Sequence, residues 1–394
     1  NYSFEKDKKM SNVGKRFNSE DAGKDYDVIV VGSGMGGLTT AALLSKAGKK
    51  VLVLEQHYTA GGFTHSYSRK GYEWDVGVHY IGDVHKEYSP LRKMYDLITD
   101  GELKWAYMDE TYDCIIIKDK EFQFKAGEEK FKSELLKSFP NAKESIEKYL
   151  DLIREVNLFA MPAIITQKMS PEFLTGITSY ITDPIVNKYF GKTTLEVLSS
   201  ITSNKKLIAV LSGQWGDYGL PPARSSFAMH AVVAYHYLDG GNFPVGGASS
   251  IARSIEKVIL KSGGKVLVGK EVKEILIKEG IAIGVKMETG DEIYAKQIVS
   301  ATGYFNTYGK LIPRNVSEGL GLFSKLKRIE PSVGHICLYT GIKATKQELN
   351  IGNGNLWIYP DYDHDRNLAK YLSNFEEEFP MVYISFPSFK DPEW

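Results

Sequence analysis

Cysteine is nearly absent: two residues, Cys114 and Cys337, stand in a chain of 394. They are far apart and in no ligand-type spacing, which excludes a disulfide scaffold and a cysteine-based metal centre and suits a reducing compartment. Net charge is missing too, because 49 basic residues balance 49 acidic ones. A whole-molecule field for nucleic acid or for an anionic membrane is therefore excluded. No run reaches the roughly 18 consecutive apolar residues that a spanning helix needs. Residues 1–25 alternate charged and small polar residues without the apolar stretch of a secretory signal, so they read as a flexible leader. These absences point to the cytoplasm and leave peripheral attachment to a membrane open. His57, His65, His79 and His85 have no carboxylate or cysteine partners at ligand spacing, so no metal site is expected.

What is present is an ordinary globular composition, 43% hydrophobic and 25% charged, in a chain too long for one core. Tyr26 to Val31 is a short branched apolar run typical of a buried parallel strand. Met35 to Ala47 turns helical, with Gly48 where a C-terminal cap belongs, and Lys50 to Leu54 reads as a second strand. Between them, Gly32-Ser33-Gly34-Met35-Gly36-Gly37 has the G-x-G-x-x-G spacing. In that spacing the first glycine permits a tight turn, the second lets backbone approach a diphosphate, and the third lets helix pack on strand. Glu55 ends the second strand, placed to accept hydrogen bonds from ribose hydroxyls.

Further along, Leu103 to Leu238 reads as mainly helical and interrupted by proline. A helix running to Lys261 and strands at 265–268, 272–277, 282–288 and 292–294 follow. Ile298 to Gly303 resembles another buried strand ending in glycine, by which the chain returns to its first sheet. Runs at 335–342 and 381–386 read as strands.

Downstream of Glu55 the sequence continues Gln56-His-Tyr-Thr-Ala-Gly61-Gly62. Fingerprint, acid and second glycine pair together resemble the phytoene desaturase-like FAD-dependent oxidoreductases. The segments 71–82, 214–222, 225–230, 301–307 and 385–394 are similar to the retinol saturase and carotenoid isomerase branch of that family. The resemblance covers residues 25 to 394. It implies an α/β fold, a Rossmann-type FAD/NAD(P)-binding domain interleaved with an α+β substrate domain. Its parts would be the leader 1–25, FAD-binding segments 26–102 and 241–304, a mainly helical insertion 103–240, and a β-rich part 305–394. Family members continue beyond this point into a glycine-containing segment that completes the flavin site and that this sequence does not include.

The resemblance also implies FAD as cofactor, with NAD(P)H a candidate reductant, although one dinucleotide fingerprint only is evident. Candidate cofactor residues are Gly32, Ser33, Gly34, Met35, Gly36, Gly37, Glu55, Gln56, Gly61, Gly62, Val272, Thr302 and Gly303. Addition of hydrogen to an alkene needs a proton donor opposite the flavin, and His79 and Tyr80 are the catalytic candidates, with a buried packed pair as the plainer reading. Trp215, Tyr218 and His230 are candidate substrate contacts, with ordinary packing as the alternative. Apolar, proline-interrupted stretches at 158–165 and 173–185 suit either a domain core or contact with a membrane interface. The implied activity is saturation or isomerisation of a carbon-carbon double bond in an apolar polyene. A desaturase running in the opposite direction and a flavin-free lipid or prenyl carrier are the alternatives.

Overall fold

A computed structural model of the chain describes residues 12–22, 25–77, 80–329 and 334–393. Strand β1 (Tyr26–Val31) has one partly open residue and is otherwise buried, so its branched side chains serve both faces of a covered sheet. Helix α1 (Met35–Lys46) lays Leu38, Ala41 and Ala42 on that sheet with no exposure. It stops where Gly48 takes a φ of +78°, and β2 (Val51–Glu55) follows, parallel to β1 with Val28 opposite Val51. Hairpin β3 (Ser66–Arg69) and β4 (Tyr72–Asp75) turns at Lys70 and Gly71, both at positive φ.

The stretch expected to be mainly helical from residue 103 opens instead with strands: Trp105–Tyr107, β5 (Thr111–Ile117) and β6 (Lys120–Lys125). Their alternation is masked because β5 is buried on both sides, leaving an apolar run that periodicity cannot tell from a buried helix. Helices then dominate, among them α2 (Lys143–Glu155), α3 (Met161–Met169), α4 (Thr175–Phe190) and α5 (Phe227–Tyr237).

The chain returns through β7 (Gly241–Pro244), α6 (Ser249–Lys261), β8 (Lys265–Val268), β9 (Val272–Lys278), β10 (Ile281–Met287) and β11 (Glu292–Ser300). What reads from sequence as two strands around Tyr294 and Ile298 is one continuous strand, antiparallel to β10 at its start and parallel to β1 at its end. The resulting seven-stranded sheet runs Lys15–Arg16, β8, β2, β1, β11, β10, β9. A second sheet, in the order β13, β12, β5, β6, adds β12 (Asn355–Tyr359) and β13 (Val382–Ile384) from the C-terminal part. Residues 335–342, read as a strand from sequence, form none: Ile336 and Leu338 face solvent, and no described strand pairs with the segment through its backbone.

The close approach of α1 to β1 depends on Gly37, where an added Cβ would stand 2.1 Å from the Gly32 carbonyl oxygen and 3.1 Å from the Ala301 Cβ. Gly37→Ala is expected to lower stability by about 1–3 kcal/mol, as overpacking does, with a matching drop in the urea unfolding midpoint.

Candidate functional site

Gly32 takes a φ of +95° and turns the chain out of β1. Gly34 caps α1 without any side-chain hydrogen bond, and a Cβ on either Gly34 or Gly36 would meet nothing within 4 Å. The first amides of α1, which have no acceptor inside the helix, therefore face open space with the positive end of the helix behind them. That is the physical requirement for holding a diphosphate.

Glu55 closes this cradle. Its Oε2 accepts from the Ser33 N–H at 2.8 Å and from the Ser33 hydroxyl at 2.7 Å, while Oε1 accepts from the His57 N–H at 2.8 Å. Gln56 beside it is exposed. The second glycine pair folds back onto the loop: the Gly61 N–H donates to the Ser33 carbonyl at 3.1 Å. Gly62, at a φ of +57°, leaves room for a Cβ only 2.9 Å from the Gly34 Cα. On one flank Ala301 donates to the Val31 carbonyl at 2.8 Å and brings Thr302 beside Gly32, with Gly303 next in the chain. On the other, Lys270 donates to the Glu55 carbonyl at 3.3 Å and carries in the start of β9. Val272 itself is buried in the core with Ile275 and Met287.

A second constellation lies in the other domain. The Tyr80 hydroxyl donates to Asp113 Oδ2 at 2.9 Å and lies 3.3 Å from Asp217 Oδ2, with its ring stacked 4.1 Å from that of Tyr237. Asp113 is fully buried on β5 and also accepts from Gln214 Nε2 at 2.6 Å and Asn355 Nδ2 at 3.0 Å. The parallel register that sets Asn355 opposite Asp113 makes the last bond. Asn355 Oδ1 in turn accepts from Lys390 Nζ at 2.5 Å, and the same ammonium donates to Ser385 at 2.7 Å.

Burial of an ion costs several kcal/mol, whereas each hydrogen bond to a charged group returns about 1.5–3. Burial prevails: Asp113 is pushed up to about 6 in spite of its three donors, and Lys390 is brought down to about 7. Burial, with the nearby carboxylates adding to it, raises Tyr80 well above the usual range, so its phenol stays protonated.

The two constellations are joined by contacts. Gly61 packs toward Ala252 on α6, where an added Cβ would be 3.3 Å from the alanine methyl. The start of α6 is held by buried Asp75, whose Oδ1 accepts from the Ala248 N–H at 3.0 Å and from Ser66 at 2.5 Å. Asp391, next to Lys390, accepts from the Gly246 N–H at 2.9 Å.

Of the expected catalytic pair, Tyr80 is placed at the head of this hydrogen-bonded chain and His79 lies outside the described residues. Trp215 is buried, with Nε1 unpartnered, and Tyr218 is half-buried. His230 is fully buried in the core, its Nε2 3.0 Å from the Tyr149 hydroxyl and its Nδ1 3.0 Å from that of Tyr218. Asp113, Gln214, Asn355 and Lys390 escaped sequence reasoning. The one available signal was an aspartate within the otherwise apolar run Tyr112 to Ile117, a charge that must find partners if it is buried.

Residues 30–97 match the model of an NAD(P)-binding Rossmann-like domain. This is a Rossmann-type dinucleotide-binding fold. The chain is 36% identical to an all-trans-retinol 13,14-reductase of Danio rerio across 94% of its own length and 63% of that protein's. It is equally similar, at 36% across 98% of this chain and 66% of the relative, to a Danio rerio protein named an inactive all-trans-retinol 13,14-reductase. A chloroplastic prolycopene isomerase of an Oncidium hybrid cultivar is 25% identical over 97% of this chain and 64% of its own length. The chain thus spans somewhat less than two thirds of the curated relatives that it matches. Among solved structures, an oxidoreductase from Methanosarcina mazei superposes with a TM-score of 0.57 at 19% identity, covering 91% of this chain and 88% of that one, which shows a shared fold.

His230 is held down to about 3, and His236 and His364 to about 4, chiefly by burial. Below the ordinary histidine value of 6.5 the unfolded chain takes up protons that the folded one refuses, so stability is lost as pH falls from 6.5 toward 4. Asp113, Asp75, Asp217 and Glu256 act in the opposite sense, because burial raises each of them, so the histidine contribution is read by comparison with a variant. Urea unfolding at about pH 5 and at about pH 7.5 makes that comparison. His230→Gln should be destabilised by roughly 1–3 kcal/mol at the higher pH and should lose less on acidification.

Proposed function

We propose that this chain belongs to an FAD-dependent oxidoreductase that saturates, or isomerises, a carbon-carbon double bond of an apolar polyene such as a retinoid or carotenoid. Identity alone does not carry the reading, since an inactive relative matches as well as an active one. The supporting observation is the cradle at Gly34 and Gly36, open above unpaired helix amides and closed by Glu55 and the Gly61–Gly62 fold-back.

The amides of Ser33, Gly34, Met35 and Gly36 would hold the diphosphate, with Gly32 and Gly37 shaping the loop. Glu55 and Gln56 would take the adenosine ribose. Gly61, Gly62, Thr302 and Gly303 would flank the flavin side, with the backbone at Val272 beside the adenosine. FAD, when bound and reduced, supplies a hydride to one alkene carbon. Tyr80 and the acids bonded to it supply or position the proton for the neighbouring carbon, in a region walled by Tyr218, Tyr237 and Tyr383. With one glycine fingerprint in the sequence, NAD(P)H fits the role of an external reductant rather than a resident cofactor.

Exposed apolar side chains on and between helices α3 and α4 support a reading of peripheral membrane contact. No helix among the described residues is long and apolar enough to cross a membrane. Met169, Phe173, Ile177, Tyr180 and Ile181 are nevertheless all more than 60% exposed. Such a patch, on a protein whose substrate dissolves in lipid, suits a bilayer interface. Binding to phosphatidylcholine vesicles by the flavin-loaded full-length protein is expected, weakened by Phe173→Glu with Ile177→Glu. Absence of cosedimentation would remove this part of the reading.

Full-length protein is expected to show a flavin absorbance band. Glu55→Leu should weaken FAD binding by roughly 10- to 100-fold through loss of charge-assisted hydrogen bonds. Anaerobic incubation of all-trans-retinol with dithionite-reduced protein should yield the dihydro product. Turnover only by oxidised flavin would establish the desaturase direction, and a colourless protein that resists reconstitution would establish the carrier.

A further inference from the structure

Tyr80 has one hydroxyl proton and two carboxylate neighbours. That proton is committed to Asp113, the nearer, which also collects donors from Gln214 and Asn355 and so is the ionised member of the pair. Asn355 cannot turn over to avoid this, because its oxygen is held by the Lys390 ammonium and its amide nitrogen is thereby aimed at Asp113. The remaining contact, 3.3 Å between the Tyr80 oxygen and Asp217 Oδ2, would set two lone pairs against each other unless Asp217 carries its own proton.

Asp217 also differs from Asp113 in access: Asp113 is fully buried, whereas Asp217 is exposed to solvent. The titratable groups facing it are Asp113 and the phenols of Tyr80, Tyr218, Tyr237, Tyr359 and Tyr383, and the Lys390 ammonium stands on the Tyr80 ring, 5.6 Å from its centroid.

We propose that Asp217, stored as a neutral carboxylic acid on the Tyr80 oxygen and open to solvent, is the acid that protonates the reacting carbon. Asp113, Asn355 and Lys390 are the positioning residues that keep it so. This rests on the reductase reading above. In the step, the Asp217 O–H bond breaks as a C–H bond forms, and the adjacent carbon takes a hydride, with its electron pair, from the reduced flavin, which is left oxidised. The alkene gains two hydrogens without net charge, and the Asp217 carboxylate recovers its proton from solvent. Lys390 opposes the charge on Asp113 through the intervening amide, so Tyr80 keeps its proton on the Asp113 side throughout.

Difference infrared spectroscopy on the full-length flavoprotein, without substrate, reads the first half of the proposal. A carbonyl band of a neutral carboxylic acid is expected at neutral pH and should be lost in Asp217→Asn, whose amide still donates to Tyr80. Lys390→Met should add a second acid band as Asp113 takes up a proton. Absence of the first band, or its survival in Asp217→Asn, overturns the assignment. The second half is read with all-trans-retinol and dithionite-reduced protein. Asp217→Asn should slow dihydro-product formation by roughly 100-fold or more, with KM little changed and flavin content intact. If the variant matches wild type, Asp217 is not the donor and the reductase reading stands. If flavin-loaded wild type leaves retinol untouched, the reductase reading itself falls, whatever the infrared band shows.

Discussion

The bare Cα of Gly37 against the carbonyl oxygen of Gly32 is the contact on which the architecture turns. Only with no side chain between them does the first turn of α1 come down onto the end of β1, so that its amides stand over the sheet edge. From that approach follow the open space above Gly34 and Gly36, the reach of Ser33 to Glu55, and the fold-back of Gly62 onto Gly34. A side chain at Gly62 would need the volume beside Gly34, so the residue that covers the loop has to be glycine.

The same economy of unpaired groups governs the other domain with the sign reversed. Where the cradle leaves donors open for a ligand, the interior around Asp113 leaves almost none. A carboxylate, an amide, a phenol and an ammonium are buried as a single connected set because no member could be buried alone without costing several kcal/mol. Asp217, on the other side of the Tyr80 oxygen, is exposed to solvent. Contacts through α6, Asp75 and Asp391 tie this set to the glycine loop, so the two halves of the site are held by one stretch of backbone near residues 244–252.

The dinucleotide unit was legible because every step of it is local. Strand, glycine turn, helix and acid lie within Tyr26 to Gly62, and each obeys a short-range rule of sterics or hydrogen bonding. The strand β5 was not, since burial on both sides removes the alternation that marks a strand, and its partner β12 lies more than 200 residues away. The run at 335–342 erred in the other direction: its composition suits a strand, but a strand exists only when a neighbour accepts its backbone bonds.

By itself, then, the sequence determined the dinucleotide cradle and its closing acid, because the φ freedom of glycine and the reach of one carboxylate act over a few residues. Tertiary structure alone decided that Asp113, Asn355, Lys390, Tyr80 and Asp217 meet. Those residues are spread from 80 to 390, and only the register of β12 on β5 and the docking of the C-terminal segment bring them within hydrogen-bonding distance. Whether a carboxyl holds its proton depends on which donors surround it and how far water is kept away, and chain order encodes neither.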